Sequence, residues 1–107
     1  MRFLLYATDD SAPPDQRMID EVEKFTEETR RMGILLATGG LGPATTRVRN
    51  SGGKLTVTDG PFTETKELTG GFALIEVKTR DEAIEWAKRF RKIVGDGDSV
   101  VQEVFGG

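Results

Sequence analysis

The sequence contains no cysteine and no histidine. Without cysteine the chain has no disulfides, no thiolate chemistry and no sulfur ligands for a metal. Without histidine it also lacks the usual ligand of zinc, copper and non-haem iron, which leaves only a hard cation on carboxylates as a compatible metal. We therefore expect neither a metal site nor a cofactor. A catalytic nucleophile is also not in evidence, because cysteine is absent and no histidine is present to serve as the base beside a serine.

Long apolar runs and an excess of basic charge are also missing. The apolar run that starts at Phe3 is too short for a secretion signal and meets charge at Asp9, and nothing approaches the roughly 20 apolar residues of a membrane span. Fifteen basic and 18 acidic residues give a net charge of −3 and are well mixed, which argues against nucleic acid as the main partner. These features predict a cytoplasmic protein that binds neither membranes nor nucleic acid.

The length and composition are those of one globular domain. The chain has 107 residues, of which 36% are hydrophobic and 13 are glycine. This is ordinary usage for a folded protein and enough for one hydrophobic core, but too little for a catalytic domain beside a separate binding domain. We expect residues 1–107 to form a single domain.

Two kinds of hydrophobic pattern predict the secondary structure. Nearly continuous or alternating apolar residues predict strands at residues 3–8, 34–38, 45–50, 54–58, 71–77 and 99–105, with a hairpin turn at Ser51-Gly52-Gly53. Helical spacing predicts helices over residues 15–32 and 79–93. The apolar residues expected to face the sheet are Met18, Val22, Phe25 and Met32 in the first helix and Ala83, Trp86, Ala87, Phe90 and Ile93 in the second. The order is β-α-β, a hairpin and β-α-β, which is a ferredoxin-like α+β unit with an inserted hairpin.

One face of such a sheet is left without cover. Two helices cover one face, and the other face is expected to show large alternating side chains. These are Leu4, Tyr6, Leu35, Leu74 and Val101 or their neighbours. A large exposed apolar patch usually marks an interface, so we predict a homodimer.

Residues 57–72, Val-Thr-Asp-Gly-Pro-Phe-Thr-Glu-Thr-Lys-Glu-Leu-Thr-Gly-Gly-Phe, hold a turn, four charges and a glycine pair between two predicted strands. We call them the signature stretch. An aspartate at a turn usually accepts a hydrogen bond from the backbone N–H two residues on, but two residues after Asp59 stands Pro61, which has no N–H. Asp59 could instead bond the N–H of Phe62 or a nearby hydroxyl. Its carboxylate is otherwise freer than that of most turn aspartates.

The signature stretch resembles that of the DGPF-domain, YCII-related proteins, and the resemblance extends over the whole chain. It implies a ferredoxin-like α+β fold that pairs into a dimeric α/β barrel, a bacterial source and no settled activity. Members of the family are often encoded beside sigma factors of the extracytoplasmic-function type, which implies a functional link by association alone. A His and Asp pair has been suggested as the active site of some relatives. This chain has no histidine, so that pair cannot act here.

The candidate site combines the signature stretch with two outlying residues, and three functions remain open. The first is a ligand-binding or regulatory module that holds a small polar or anionic molecule between the sheet and the signature stretch. The second is an enzyme that uses Asp59 as general acid or base, with Tyr6, Arg47 or Lys66 polarising the substrate. The third is a structural dimer whose signature stretch clamps the subunits. The candidate ligand-binding residues are Tyr6, Arg47, Asp59, Gly60, Pro61, Phe62, Glu64 and Lys66.

Overall fold

The computed structural model describes residues 1–7, 15–42, 44–60 and 71–106. This part of the chain forms six strands and two helices in the predicted order. They are β1 (Arg2–Ala7), α1 (Gln16–Arg31), β2 (Leu35–Gly40), β3 (Thr46–Ser51), β4 (Lys54–Asp59), β5 (Gly71–Glu76), α2 (Arg80–Val94) and β6 (Ser99–Val104).

Four of the strands form an antiparallel sheet in the order β2-β5-β1-β6. The two strands that follow the helices, β2 and β6, lie at the edges, and β1 and β5 lie in the centre. The strands β3 and β4 form a separate two-stranded hairpin between the two β-α-β halves. The predicted α+β, ferredoxin-like class with an inserted hairpin is confirmed.

The hydrophobic core lies between the sheet and the two helices. Phe3, Ile75, Val77 and Ala83 are its buried centre. Leu35 and Val101 pack against this centre from the partly buried layer around it. Leu35 is opposite Ile75 and Val101 is opposite Leu5, so both face the helices and their predicted position on the uncovered face is wrong. A shift of one residue along a strand moves a side chain to the other face.

The face of the sheet opposite the two helices carries the alternate residues of the same strands. In the antiparallel register Leu4 is opposite Leu74, and Tyr6 is opposite both Phe72 and Val100. Paired residues project to the same side of a sheet, so these five side chains share one face. We call them the open face. The prediction of an apolar second face holds with Phe72 and Val100 in place of Leu35 and Val101.

Helix α1 begins and ends with standard caps. Asp15, the first residue of the predicted helix, is the N-cap residue that precedes α1. Its Oδ1 accepts a hydrogen bond from the Met18 N–H at 2.9 Å. At the other end Gly33 has φ +74°, and the N–H groups of Gly33 and Ile34 donate to the carbonyls of Arg30 and Thr29. This is a Schellman motif, in which Gly33 at positive φ ends the helix.

The buried side of α1 differs from the predicted one in its last turn. Met32 lies beyond the helix and is 58% exposed, so its predicted place in the core is wrong. The buried residue at this end is Thr29. Its hydroxyl donates to the helix's own carbonyls at Phe25 and Thr26, which satisfies a polar group that the layer would otherwise leave unpaired.

Helix α2 follows its prediction closely. The Thr79 hydroxyl accepts from the Glu82 N–H at 3.1 Å, and Glu82 in turn accepts from the Lys78 N–H at 3.3 Å. Ala83 and Ala87 are buried, and Trp86 packs against the core. Neither described helix is long and apolar enough to cross a membrane.

The hairpin turns at Gly52 and Gly53, both with positive φ, as a two-residue primed turn requires. One side of the hairpin carries Val48, Leu55 and Val57, which are 67%, 69% and 68% exposed. The register places the alternate residues of β3, including two arginines, on the opposite side.

Candidate functional site

A cavity of about 290 Å³ lies between the helices and the sheet. Residues from both helices and from all four sheet strands line it. The described lining residues are Leu5, Tyr6, Ala7, Val22, Phe25, Thr26, Thr29, Ile34, Leu35, Thr38, Gly39, Gly71, Phe72, Ala73, Ile75, Trp86, Ala87, Phe90 and Ser99. None of these is charged.

Three aromatic rings form the helical wall of the cavity. The Phe25 ring meets Trp86 edge-on at a centroid distance of 5.7 Å and Phe90 at 6.4 Å with a tilt of 49°. The small buried residue Ala87 follows Trp86 in α2 and leaves room beside these rings. The bulky rings on both sides of Ala87 keep the helices and the sheet apart, and this leaves a space between the two layers.

An arginine outside the cavity lining covers two of the rings. The Arg89 guanidinium lies 4.5 Å from the Trp86 centroid and 5.4 Å from the Phe25 centroid, and it pairs with both carboxylate oxygens of Glu28 at 3.1 and 3.3 Å. The contact joins α1 to α2, because Glu28 and Arg89 belong to different helices. It holds the aromatic wall in position from the solvent side.

The threonine and serine hydroxyls of the lining fall into two kinds. Those of Thr29 and Thr38 already donate to backbone carbonyls, Thr38 to Phe72 at 2.8 Å. The hydroxyls of Thr26 and Ser99 have no hydrogen-bond partner among the described residues. Ser99 is opposite Ala7, whose side chain points to the helices, so the Ser99 hydroxyl points into the same space.

The cavity extends along the sheet to the C-terminal end of the signature stretch. Gly71 and Phe72, the last two residues of that stretch, line it. Gly39 faces Phe72 across the strand pair, and a Cβ at position 39 would lie 3.2 Å from the Phe72 ring. Glycine at this position therefore lets the Phe72 ring lie across β2 on the open face.

Asp59, the foremost candidate from the sequence, is the exposed last residue of β4. Its Oδ1 accepts a 3.0 Å bond from the Thr46 hydroxyl, which is one of the alternatives that the missing Pro61 N–H left open. The Gly60 N–H donates to the Thr45 carbonyl at 2.7 Å. The Thr45 hydroxyl is buried and has no described partner. Asp59 and Gly60 are not among the described residues that line the cavity.

Arg47 and Tyr6 lie on other surfaces. Arg47 is opposite Thr58 in the hairpin, whereas Asp59 is opposite Thr46. Neighbouring residues of a strand project to opposite sides, so Arg47 and Asp59 lie on opposite sides of the hairpin. Tyr6 belongs to the open face and borders the cavity. Pro61, Phe62, Glu64 and Lys66 lie outside the described residues, and their roles stay predictions.

The sequence reasoning missed the residues that form the cavity wall. It read Phe25, Trp86 and Phe90 as filling the core, because apolar residues at helical spacing usually do. The available signal was Thr29 on the buried side of α1 and the two alanines of α2, since small or polar residues facing large rings leave volume unfilled. No group of three or more acidic residues in the described part is placed to hold a metal ion.

The model of the YCII-related domain matches residues 1–102 of this chain. An uncharacterised protein of Rhizobium meliloti (strain 1021) is 35% identical over 80 residues, which are 73% of this chain and 64% of that protein. The matched part of this chain thus spans less than two thirds of that relative.

Among solved structures, the fold resembles 5-chloro-2-hydroxyhydroquinone dehydrochlorinase of Burkholderia phenoliruptrix AC1100 in complex with 2,5-dihydroxybenzoquinone. The TM-score is 0.53 at 19% identity, over 100% of this chain and 96% of the other. At that identity the likeness concerns the fold. The family match over residues 1–102 agrees with the signature stretch, and the chain belongs to the YCII-related family.

Proposed function

We propose that this protein is a small-ligand-binding or regulatory module that holds its ligand between the helices and the sheet, at the end where the signature stretch joins β5. The observation that carries the proposal is the 290 Å³ cavity. Ala7 and Gly71 line it. Ala7 is the last residue of β1, and Gly71 belongs to the signature stretch and begins β5. A ligand in the cavity would therefore lie against the sheet and next to the signature stretch.

The apolar character of the cavity supports an organic occupant. Most of the described lining residues are apolar or aromatic, and apolar surface that a ligand removes from water is worth roughly 25 cal/mol per Å². Ordered water is a poor substitute because a buried water needs two to four polar partners. Two of the lining hydroxyls are already bonded to backbone carbonyls.

The structural neighbour supports the size of the ligand. Its solved complex contains 2,5-dihydroxybenzoquinone, a single small ring. A cavity of about 290 Å³ is at the lower end of the roughly 300 to 1,000 Å³ range of small-molecule pockets, so a ligand of that scale fits.

A thermal-shift screen of the untagged protein against a metabolite library tests the proposal. A ligand at 100 times its dissociation constant adds about 2.7 kcal/mol, which raises Tm by about 10 °C for a domain of this size. We expect at least one such compound, with electron density inside the cavity after soaking. If no compound raises Tm and soaked crystals hold nothing there, the proposal fails.

The alternative is a small enzyme in which Asp59 is the general acid or base, which would be a member of the family that works without histidine. Its support is the exposure of Asp59, whose Oδ2 has no partner among the described residues. Asp59→Asn distinguishes the two functions once a ligand is known. An enzyme would lose turnover and keep affinity, whereas a module that binds its ligand in the cavity would show no turnover and keep its affinity, because Asp59 does not line that cavity.

A further inference from the structure

The described lining of the cavity offers no counter-charge to a charged ligand. None of the described lining residues is acidic or basic. An ion moved from water into such a space would lose its hydration without gaining a counter-charge. Of the small polar or anionic molecules that the sequence suggests, the described lining of this cavity therefore favours an uncharged one.

The shape of the cavity favours a ring. Phe25, Trp86 and Phe90 present aromatic faces and edges on one side, and aromatic groups stack well against one another. An apolar cavity of about 150 Å³ holds benzene, and this one measures about 290 Å³. The space corresponds to one substituted ring or two fused rings.

One polar group of the ligand has a partner ready. The Ser99 hydroxyl points into the cavity from the start of β6 and has no hydrogen-bond partner in the described part of the chain. A hydroxyl on the ring would satisfy it.

From these three features we infer that the ligand is an uncharged aromatic compound of one or two rings with a hydroxyl substituent that hydrogen-bonds Ser99. The inference rests on the proposed function, because it names the chemical class of the ligand at the same site.

Titration of ¹⁵N-labelled protein at neutral pH with three fluorinated probes tests the class. The probes are 4-fluorophenol, fluorobenzene and 4-fluorobenzoate, which share one ring and differ in the second substituent. The chain has one tryptophan, so the indole N–H of Trp86 gives a single resonance in the cavity wall. We expect 4-fluorophenol to bind most tightly, fluorobenzene more weakly and 4-fluorobenzoate at least tenfold more weakly than either.

Ser99→Ala tests the anchor. We expect it to weaken 4-fluorophenol about fivefold, as the loss of one neutral hydrogen bond does, and to leave fluorobenzene unchanged. Equal weakening of both probes, or of neither, would refute the role of Ser99.

Ala87→Leu tests the place, because it adds a branched side chain beside the aromatic wall. We expect it to remove binding of both neutral probes, with Lys88→Leu, an exposed neighbour in α2, as the matched control. If Ala87→Leu does not fold, Ala87→Val makes the same test with less added volume. Undiminished binding by the folded variant would overturn the inference.

The outcomes separate the inference from the function on which it rests. If 4-fluorobenzoate binds as tightly as 4-fluorophenol and shifts the same resonances, the ligand class is wrong and the binding function stands. If no probe shifts the Trp86 resonance while a library compound fills the cavity, the class is again wrong alone. If neither probes nor library compounds bind, both fail.

Discussion

Phe25 connects the stability of α1 with the shape of the cavity. Its ring contacts Trp86 and Phe90 and lies under the Arg89 guanidinium. We expect Phe25→Ala to lower the free energy of unfolding by about 3 kcal/mol, at the low end for a phenylalanine because the site borders an existing space. Urea melts measure it, with the exposed neighbour Lys24→Ala as control at less than about 0.5 kcal/mol.

A loss below about 1 kcal/mol for Phe25→Ala would mean that the ring contributes little to the core. The aromatic wall would then not be a fixed surface, and the shape argument for the ligand would weaken with it.

Asp59 makes one described hydrogen bond, and that bond defines its structural role. We expect Asp59→Ala and Thr46→Val each to cost at most about 1 kcal/mol, because both remove the same exposed bond. The double variant should cost no more than about the larger single effect, since the second change has nothing left to remove. Denaturant melts of the four proteins measure the coupling.

Additive losses would contradict that account and indicate that Asp59 has a second structural contact. Limited proteolysis then locates it, because new cleavage between Thr58 and Gly70 would show that the carboxylate fixes the signature stretch.

At the scale of elements, the two helices are joined at one point by charge and aromatic contact together. Arg89→Ala removes both contacts, and we expect it to lower the free energy of unfolding by about 1 to 2 kcal/mol. The half-exposed ion pair contributes at most about 1 kcal/mol of this, and the cation–π contacts contribute about 0.5 to 1 kcal/mol. Glu28→Gln removes the charge pair alone and should cost less than about 1 kcal/mol. Chemical denaturation at low salt and at high salt separates the two parts.

High salt should reduce the cost of Glu28→Gln and leave most of that of Arg89→Ala, because salt screens exposed ion pairs and has little effect on a stacked guanidinium. Equal costs for the two variants would show that the aromatic contact of Arg89 contributes nothing.

The elements themselves could be predicted because their signals are local. The Thr79 and Glu82 capping box, the Gly33 stop and the Gly52-Gly53 turn each determine a boundary through the bonds of a few neighbouring residues. The phase of each strand was harder, since a shift of one residue moves every side chain to the other face. That is why Leu35 and Val101 were assigned to the wrong side of the sheet.

The site could be predicted only in part, for a related reason. The turn chemistry around Asp59 follows from Pro61 and is readable from the sequence. A cavity depends on how side chains of distant elements pack against one another, as Trp86 of α2 packs against Phe25 of α1. No local sequence pattern encodes such a contact.

At the scale of the whole molecule, the open face is the surface through which we expect two copies of the chain to associate. Leu4, Tyr6, Phe72, Leu74 and Val100 share it, with the helices on the other side of the sheet. Apolar area removed from water is worth roughly 25 cal/mol per Å², so a second copy placed on this face would gain stability. We expect the protein to be a homodimer at micromolar concentration, as measured by sedimentation velocity.

Leu74→Arg places a charge at the centre of the open face, and we expect it to give a folded monomer with unchanged far-ultraviolet circular dichroism. Ile19→Arg is the matched control, because Ile19 is an apolar residue of α1 that is 37% exposed on the helical layer, and it should leave the dimer intact. The charge would have to be buried unpaired in the Leu74 variant and can reach water in the Ile19 variant. A wild-type monomer at micromolar concentration, or dissociation by Ile19→Arg and not by Leu74→Arg, would show that the subunits do not associate through the open face.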